Sequence, residues 1–186
     1  MTTIESDPEL LSLAAAGDQD AFARLVRRHQ SRVLNLAYRY SRDRQDAEDL
    51  AQEVFFKVWR QARTFRGQSA FSTWLYRLAV NTCLNHRQRK KSRPDLLPLT
   101  ADLDAGVEAD AAKLEARQRE NLLNQAMAAL PARQKMALIL ASFADRSYEE
   151  IAVVMEVSVP AVESLLFRAR QNLAAALRPL KIKGEI

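Results

Sequence analysis

Apolar residues recur every three or four positions along most of the chain, the spacing of one face of an α-helix. Between Asp18 and about Tyr40, the positions Phe22, Leu25, Val26, His29, Val33, Leu36, Ala37 and Tyr40 share one face, and Ser41-Arg42-Asp43-Arg44 breaks the run. A helix over about 45–62 turns Ala47, Leu50, Ala51, Val54, Val58 and Ala62 inward, leaving Asp46, Asp49, Gln52, Glu53, Phe56 and Arg60 on the other face. Thr64 to Gln68 reads as a loop and Ser69 as the cap of a helix reaching about Lys90. In that helix Phe71, Trp74, Leu75, Leu78 and Thr82 face one way, while Arg77, Asn81 and Asn85 stack four apart on another face. A short first helix opens at Asp7-Pro8, an acceptor at the N-cap followed by proline at N1, and closes at Gly17. The periodicity stops at Pro94 and returns at about Ala111. It then predicts helices over 111–130, 131–143 and 147–155, and a last one from Ser158 to about Leu177 that Pro179 stops. The expected fold is all-α: small helical domains over 7–93 and 113–186, joined by an extended linker over 94–112.

Composition narrows the chemistry. Four isolated glycines among 186 residues exclude a P-loop and a dinucleotide-binding turn, which need clustered glycines for close phosphate approach. The longest apolar run, Met136 to Ala141, is six residues, against the roughly 20 that span a bilayer. Glu5, Asp7 and Glu9 stand where a signal peptide would be basic, so a cytoplasmic protein with no membrane contact of its own is expected. One cysteine and two histidines supply neither a disulfide nor a zinc set, and no metal or cofactor is expected. Cys83 reads as a small buried residue and His29 as a packing residue of the apolar stripe; His86 lies near the basic tail of its helix.

The net charge is +5, but its distribution says more. Residues 1–93 carry a net +7, residues 94–112 a net −5 with no base, and residues 113–186 a net +3. Two basic blocks joined by an acidic strap suit two polyanion-binding modules and a linker.

The most specific local pattern runs from Ser147 to Arg170. A short helix over Tyr148 to Met155 is followed by a turn at Glu156-Val157-Ser158. A longer helix comes next, with a core of Val162, Leu165 or Leu166, and Ala169. Ala152 lets the helices cross closely and Val157 plugs the turn, which is helix-turn-helix spacing. LPARQKMALIL-ASFADRSYEEIAVVMEVSVPAVESLLFRARQNL resembles the sigma-4 domain of bacterial RNA polymerase sigma factors, especially the extracytoplasmic-function (ECF) group. DAEDLAQEVFFKVWR and FRGQSAFSTWLYRLAVNTCLNHRQRKKSR resemble the sigma-2 domain, and the gap holds no sigma-3 domain, as in the ECF layout.

The resemblance implies a non-enzymatic initiation factor, working in a stress or envelope response, whose partners are core RNA polymerase, promoter DNA and an anti-sigma factor. It implies polymerase binding by Asp49, Gln52, Glu53, Phe56 and Trp59, with Glu48 and Phe55 as weaker candidates. Carboxylates beside large rings suit such an interface, since rings supply buried area and acids select a basic partner. It implies reading of the −10 element by Ser69, Phe71, Thr73, Trp74, Arg77, Asn81 and Asn85, with the loop around Arg66–Ser72 closing over a flipped base. Phe71 and Trp74 also lie on the apolar stripe, where packing competes with base contact. Arg87, Arg89, Lys90 and Lys91 suit phosphates. The −35 element falls to Pro160, Ala161, Glu163, Ser164, Phe167 and Arg168.

Three residues depart from the family pattern. Glu156 stands where a glycine is common, and Glu163 and Leu165 stand where bases are common. A free-standing helix-turn-helix regulator, and a sigma-like adaptor that does not read promoters, remain as alternatives.

Overall fold

The computed structural model describes residues 5–91, 111–144 and 146–182. They form helices α1 (Asp7–Ala15), α2 (Gln19–Ser41), α3 (Arg44–Gln61), α4 (Phe71–Lys91), α5 (Ala111–Ala129), α6 (Ala132–Phe143), α7 (Tyr148–Met155) and α8 (Val159–Ile182), with a 3-10 turn at Ala62–Thr64 after α3. No strand occurs among the described residues. The linker reading over 94–110 lies outside the described residues.

Side-chain caps set several of the helix starts. Asp18 accepts from the Ala21 N–H at 2.9 Å and Asp43 from the Asp46 N–H at 2.7 Å, satisfying donors that a helix start leaves free. Ser147 and Glu150 form a capping box on α7: the hydroxyl accepts from the Glu150 N–H at 3.2 Å and the carboxylate from the Ser147 N–H at 2.9 Å. That N–H, then Arg146, hold the Glu150 carboxyl below its ordinary pKa.

Helix α1 departs from expectation. Its N-cap is Ser6, whose N–H donates to Glu9 at 2.7 Å, so Pro8 falls one place further into the helix. Asp7 serves tertiary structure instead. Its carboxylate accepts from Arg28 Nη1 at 2.6 Å and lies 2.8 Å from Nε2 of the buried His29, pinning α1 to α2. The last helix also runs further than expected, to Ile182. Pro179 removes one helical hydrogen bond, but its fixed φ is itself helical, so the chain continues through it.

Core packing follows the apolar stripes. Leu10, Leu11, Leu25, Leu50, Val58 and Leu75 are closed off from solvent among the first four helices. Met136, Ile139, Leu140, Ile151, Met155, Val162, Leu166 and Ala169 do the same among α6–α8. The two sets join into one continuous core, because α7 packs on α4 while α6 touches α2 and α4.

Cys83 lies inside that core at 1% exposure. Burial, then the nearby Glu53 charge, push its thiol up to about 12 from 9.0. At pH 8 the folded protein should therefore hold about a thousandfold less thiolate than an unperturbed cysteine, and Ellman's reagent should react only as fast as the chain opens. Because the raised pKa belongs to the folded state, the stability it contributes is complete below pH 9 and is lost as the pH climbs towards 12. Rapid labelling of the folded protein at pH 8 would contradict this packing.

Candidate functional site

Three surfaces concentrate the candidate residues. The first is the outward face of α3. Asp49 and Gln52 are exposed on it, and Asp49 accepts a long 3.3 Å hydrogen bond from Gln45, four residues earlier on the same helix. Glu53 is half-buried and paired with Lys57 at 2.8 Å; that lysine also donates to Thr82 on α4 at 2.8 Å. Glu53 therefore helps bridge α3 to α4 as well as facing outward. Glu48 is held by Arg44 at 2.9 Å.

The aromatic residues of α3 divide. Phe56 is 58% exposed, with the Arg60 guanidinium 5.7 Å from its ring centroid. Trp59 is half-buried rather than freely exposed, because its ring meets Phe22 of α2 edge-on at 4.9 Å. Phe55 is largely buried and contributes to the lining of the groove beside Phe56 rather than standing out from the face. Gln19, Phe22 and Val26 from α2 join Gln52, Phe55, Phe56 and Trp59 around an open groove of about 620 Å³. Sequence reasoning missed the α2 half of this groove. The available signal was the doubled stripe Ala21-Phe22 and Leu25-Val26: one helix cannot bury both members of each pair against one neighbour, and the second of each remains half-buried.

The second surface spans the loop before α4 and the start of that helix. Gly67 turns the loop with φ +67°, a conformation that glycine adopts without strain. Phe65, Phe71 and Trp74 form an aromatic cluster with centroids 5.2 to 6.1 Å apart, and His29 abuts Phe71 at 5.2 Å. Phe71 is only 3% exposed and presents no face to a base, so its place is in the core. Ser69, Thr73, Trp74, Arg77 and Asn81 are half-buried and Asn85 is exposed. Helix α4 starts at Phe71, two residues after Ser69, leaving Ser69 on the loop. His86 lies 3.6 Å from Asp46 of α3, which draws it towards that helix. The side chains of Arg87, Arg89, Lys90 and Lys91 lie outside the described residues.

The third surface is the start of α8. Val162, Leu166 and Ala169 are fully buried while Leu165 is half-buried, which resolves the choice between the two leucines. Pro160, Glu163, Ser164, Phe167 and Arg168 are exposed and Ala161 is half-buried; Phe167 reaches 60% exposure. A phenylalanine left this open on a helix that follows a capped α7 and a tight turn suits a groove-reading helix. Glu156 adopts φ 54°, ψ 51°, the left-handed conformation expected at the glycine-like turn position. The Val157 N–H bonds back to the Ala152 carbonyl at 3.0 Å and completes the turn.

Residues 25–93 match the model of Sigma-70 region 2, and residues 120–173 match that of Sigma-70, region 4. The chain is 40% identical to the RNA polymerase sigma-H factor of Pseudomonas aeruginosa, covering 97% of this chain and 98% of that one. This chain belongs to the sigma-70 family. It is likewise 37% identical to the ECF RNA polymerase sigma-E factor of Escherichia coli K12, over 94% and 96% of the two chains. Solved relatives share the architecture of this sigma factor. CnrH in complex with the cytosolic domain of CnrY superimposes with a TM-score of 0.64 at 27% identity, covering 94% of this chain and 99% of that one. RpoE of Bartonella quintana, with the anti-sigma factor NepR, gives 0.59 at 25% identity, covering 84% and 96%. The groove and the α4 surface fall within or beside region 2, and the start of α8 within region 4. As a sigma factor the protein is an initiation factor and not a catalyst; it binds core RNA polymerase and directs promoter-specific transcription. No helix among the described residues is long and apolar enough to cross a membrane.

Proposed function

We propose that this sigma factor divides its work among the three surfaces. The α3 face docks on core polymerase through Asp49, Gln52, Glu53, Phe56 and Trp59, with Phe22 and Val26 of α2 forming the far wall of the same groove. The observation that carries this assignment is the pairing of an exposed Phe56 with an open apolar groove flanked by an exposed carboxylate. A partner presenting an apolar ridge between basic residues fits that combination.

The second surface reads the −10 element, with Arg77, Asn81 and Asn85 on one face of α4 and Ser69, Thr73 and Trp74 near the loop. Phe71 supports it from within the core. The third surface reads the −35 element through α8. There Arg168 suits guanine or a phosphate, Ser164 suits either, Phe167 suits a thymine methyl and Glu163 suits cytosine N4. Residues 7–93 and 113–186 are the corresponding functional halves.

The solved complex of RpoE with NepR supports an anti-sigma partner for this chain too. A cytoplasmic location follows from the need to meet polymerase, and the ECF relatives support a role in a stress or envelope response. Reconstitution with core polymerase tests the division. Asp49→Arg should abolish core binding with an unchanged circular dichroism spectrum, whereas Asn81→Ala should bind core normally and fail to open the promoter. Normal core binding by Asp49→Arg would refute the docking surface. Tight specific binding of duplex by the protein alone would favour a free-standing regulator.

A further inference from the structure

Helix α1 reaches both ends of the loop that precedes α4. At the near end, Arg63 of the 3-10 turn donates through Nε to the Ala15 carbonyl at 3.0 Å, one of the acceptors that a helix end leaves free. At the far end the path runs through α2. Asp7 Oδ2 lies 2.8 Å from His29 Nε2, and the carboxylate can only accept there, which places the hydrogen on Nε2. The imidazole, 4% exposed, meets the Phe71 ring at 5.2 Å with the two planes 60° apart. Phe71 in turn packs on Phe65 and Trp74, whose own centroids stand 5.2 Å apart. Residues 66–69 make no backbone-to-backbone hydrogen bond among the described residues, so the shape of this stretch depends on its two roots.

Histidine is a costly choice for the apolar stripe of α2, since leucine or phenylalanine would fill the space and bury no polar atom. What imidazole adds is direction. With Nε2 bonded to Asp7 the ring loses its free rotation and offers one fixed edge to Phe71. Arg28, the other partner of Asp7, bonds only the start of α1 among the described residues: Asp7 Oδ1 at 2.6 Å and the Glu5 carbonyl at 3.1 Å. Arg77, about one turn beyond Trp74, is held by other means. Its Nη2 donates to the Val153 carbonyl at 3.4 Å and its Nε stands 3.4 Å from Glu156 Oε1.

We propose that Asp7 and His29 are positioning residues for promoter opening. Together they fix the Phe71 ring, and through it the Phe65–Trp74 pair from which the loop springs, in the geometry that receives an unstacked base. Neither residue touches DNA; each acts through Phe71. A platform ordered in advance loses no binding energy to its own ordering when the base arrives. The proposal rests on the −10 assignment of the loop.

The test uses the full chain, free and assembled with core RNA polymerase. Fluorotryptophan labelling gives one fluorine resonance for each of the two tryptophans, Trp59 and Trp74, and Trp59→Phe assigns them. Asp7→Ala should move or broaden the Trp74 resonance and leave that of Trp59 in place. Asp7→Asn, whose amide oxygen still accepts from Nε2, should restore it. Arg28→Ala removes the other bond to Asp7 and should leave both resonances where they are. Opening by the holoenzyme is followed with a fluorescent adenine analogue in the −10 non-template strand of a promoter mapped from transcript 5′ ends. Asp7→Ala should slow opening about two- to tenfold, the range that one aromatic contact accounts for, with unchanged affinity for core. Asp7→Asn and Arg28→Ala should open at close to the parental rate. An unmoved Trp74 resonance in Asp7→Ala would overturn the positioning, and equal slowing by Arg28→Ala would reduce Asp7 to a plain anchor of α1. Trp74→Ala tests the −10 assignment separately. Should it open slowly while Asp7→Ala opens at the parental rate, the brace does not serve opening and the proposal falls. Should Trp74→Ala itself open normally, with the resonance shift in Asp7→Ala intact, the fault lies with the −10 assignment rather than with the brace.

Discussion

Phe56→Ala is expected to weaken binding to core RNA polymerase by about 30- to 1000-fold, the loss of roughly 2–4 kcal/mol typical of a central aromatic anchor. The fold should not register the change. Phe56 is 58% exposed and its ring contact is an arginine one turn away on the same helix, so the melting temperature should stay within about 2 °C. Trp59→Ala makes the informative contrast. Its ring packs edge-on against Phe22, an arrangement worth about 0.5–1.5 kcal/mol beyond the area it buries, so this variant should lose stability and affinity together. Titration of core with labelled protein, beside thermal melts of the free chain, separates the two outcomes. Parental affinity in Phe56→Ala would remove the groove from the docking surface.

Leu166→Ala should produce the largest loss of stability. Leu166 is 1% exposed on the inner side of α8, between Val162 one turn before it and Ala169 about one turn after it, both fully buried. Truncating such a leucine costs about 2–5 kcal/mol, the transfer term plus the cavity left behind. Against a total stability of about 5–15 kcal/mol, that is enough to leave the helix-turn-helix partly unfolded near 37 °C. Leu165→Ala, half-buried beside it, should cost clearly less. Urea denaturation followed by circular dichroism decides the comparison; equal losses at the two positions would mean that α8 does not present the face described. Binding to −35 duplex in the polymerase complex should fall with Leu166→Ala in proportion to the unfolded fraction.

The helices and their inward faces were legible because 3.6-residue periodicity is a local property. The stripe of α3, for example, predicts the burial of Ala47, Leu50, Val54 and Val58. The left-handed Glu156 was legible through the resemblance alone, which puts it at a turn position where the family commonly has glycine. What escaped depends on partners far along the chain. Asp7 looked like a helix cap, but Arg28 and His29 claim its carboxylate and Ser6 takes over the cap. The resemblance implied Trp59 as a polymerase contact, but nothing local showed that Phe22, on another helix, packs against its ring. Arg77 occupied a polar face of α4 with nothing nearby in sequence to engage it; its contacts are 76 and 79 residues away. The proline at 179 misled because a helix tolerates it where only one hydrogen bond is forfeited.

The anchoring of α1 bears on how the protein is to be produced in pieces. The region 2 match begins at residue 25, inside α2 and beyond the whole of α1. A recombinant fragment cut there would strip Leu10, Leu11 and Ala14 from the packing, wet the hydrocarbon beneath them, and strand the His29 imidazole without its carboxylate. The smallest autonomous piece of the N-terminal half therefore starts upstream of Ser6, and poor expression of anything shorter would reflect a missing wall rather than a missing function.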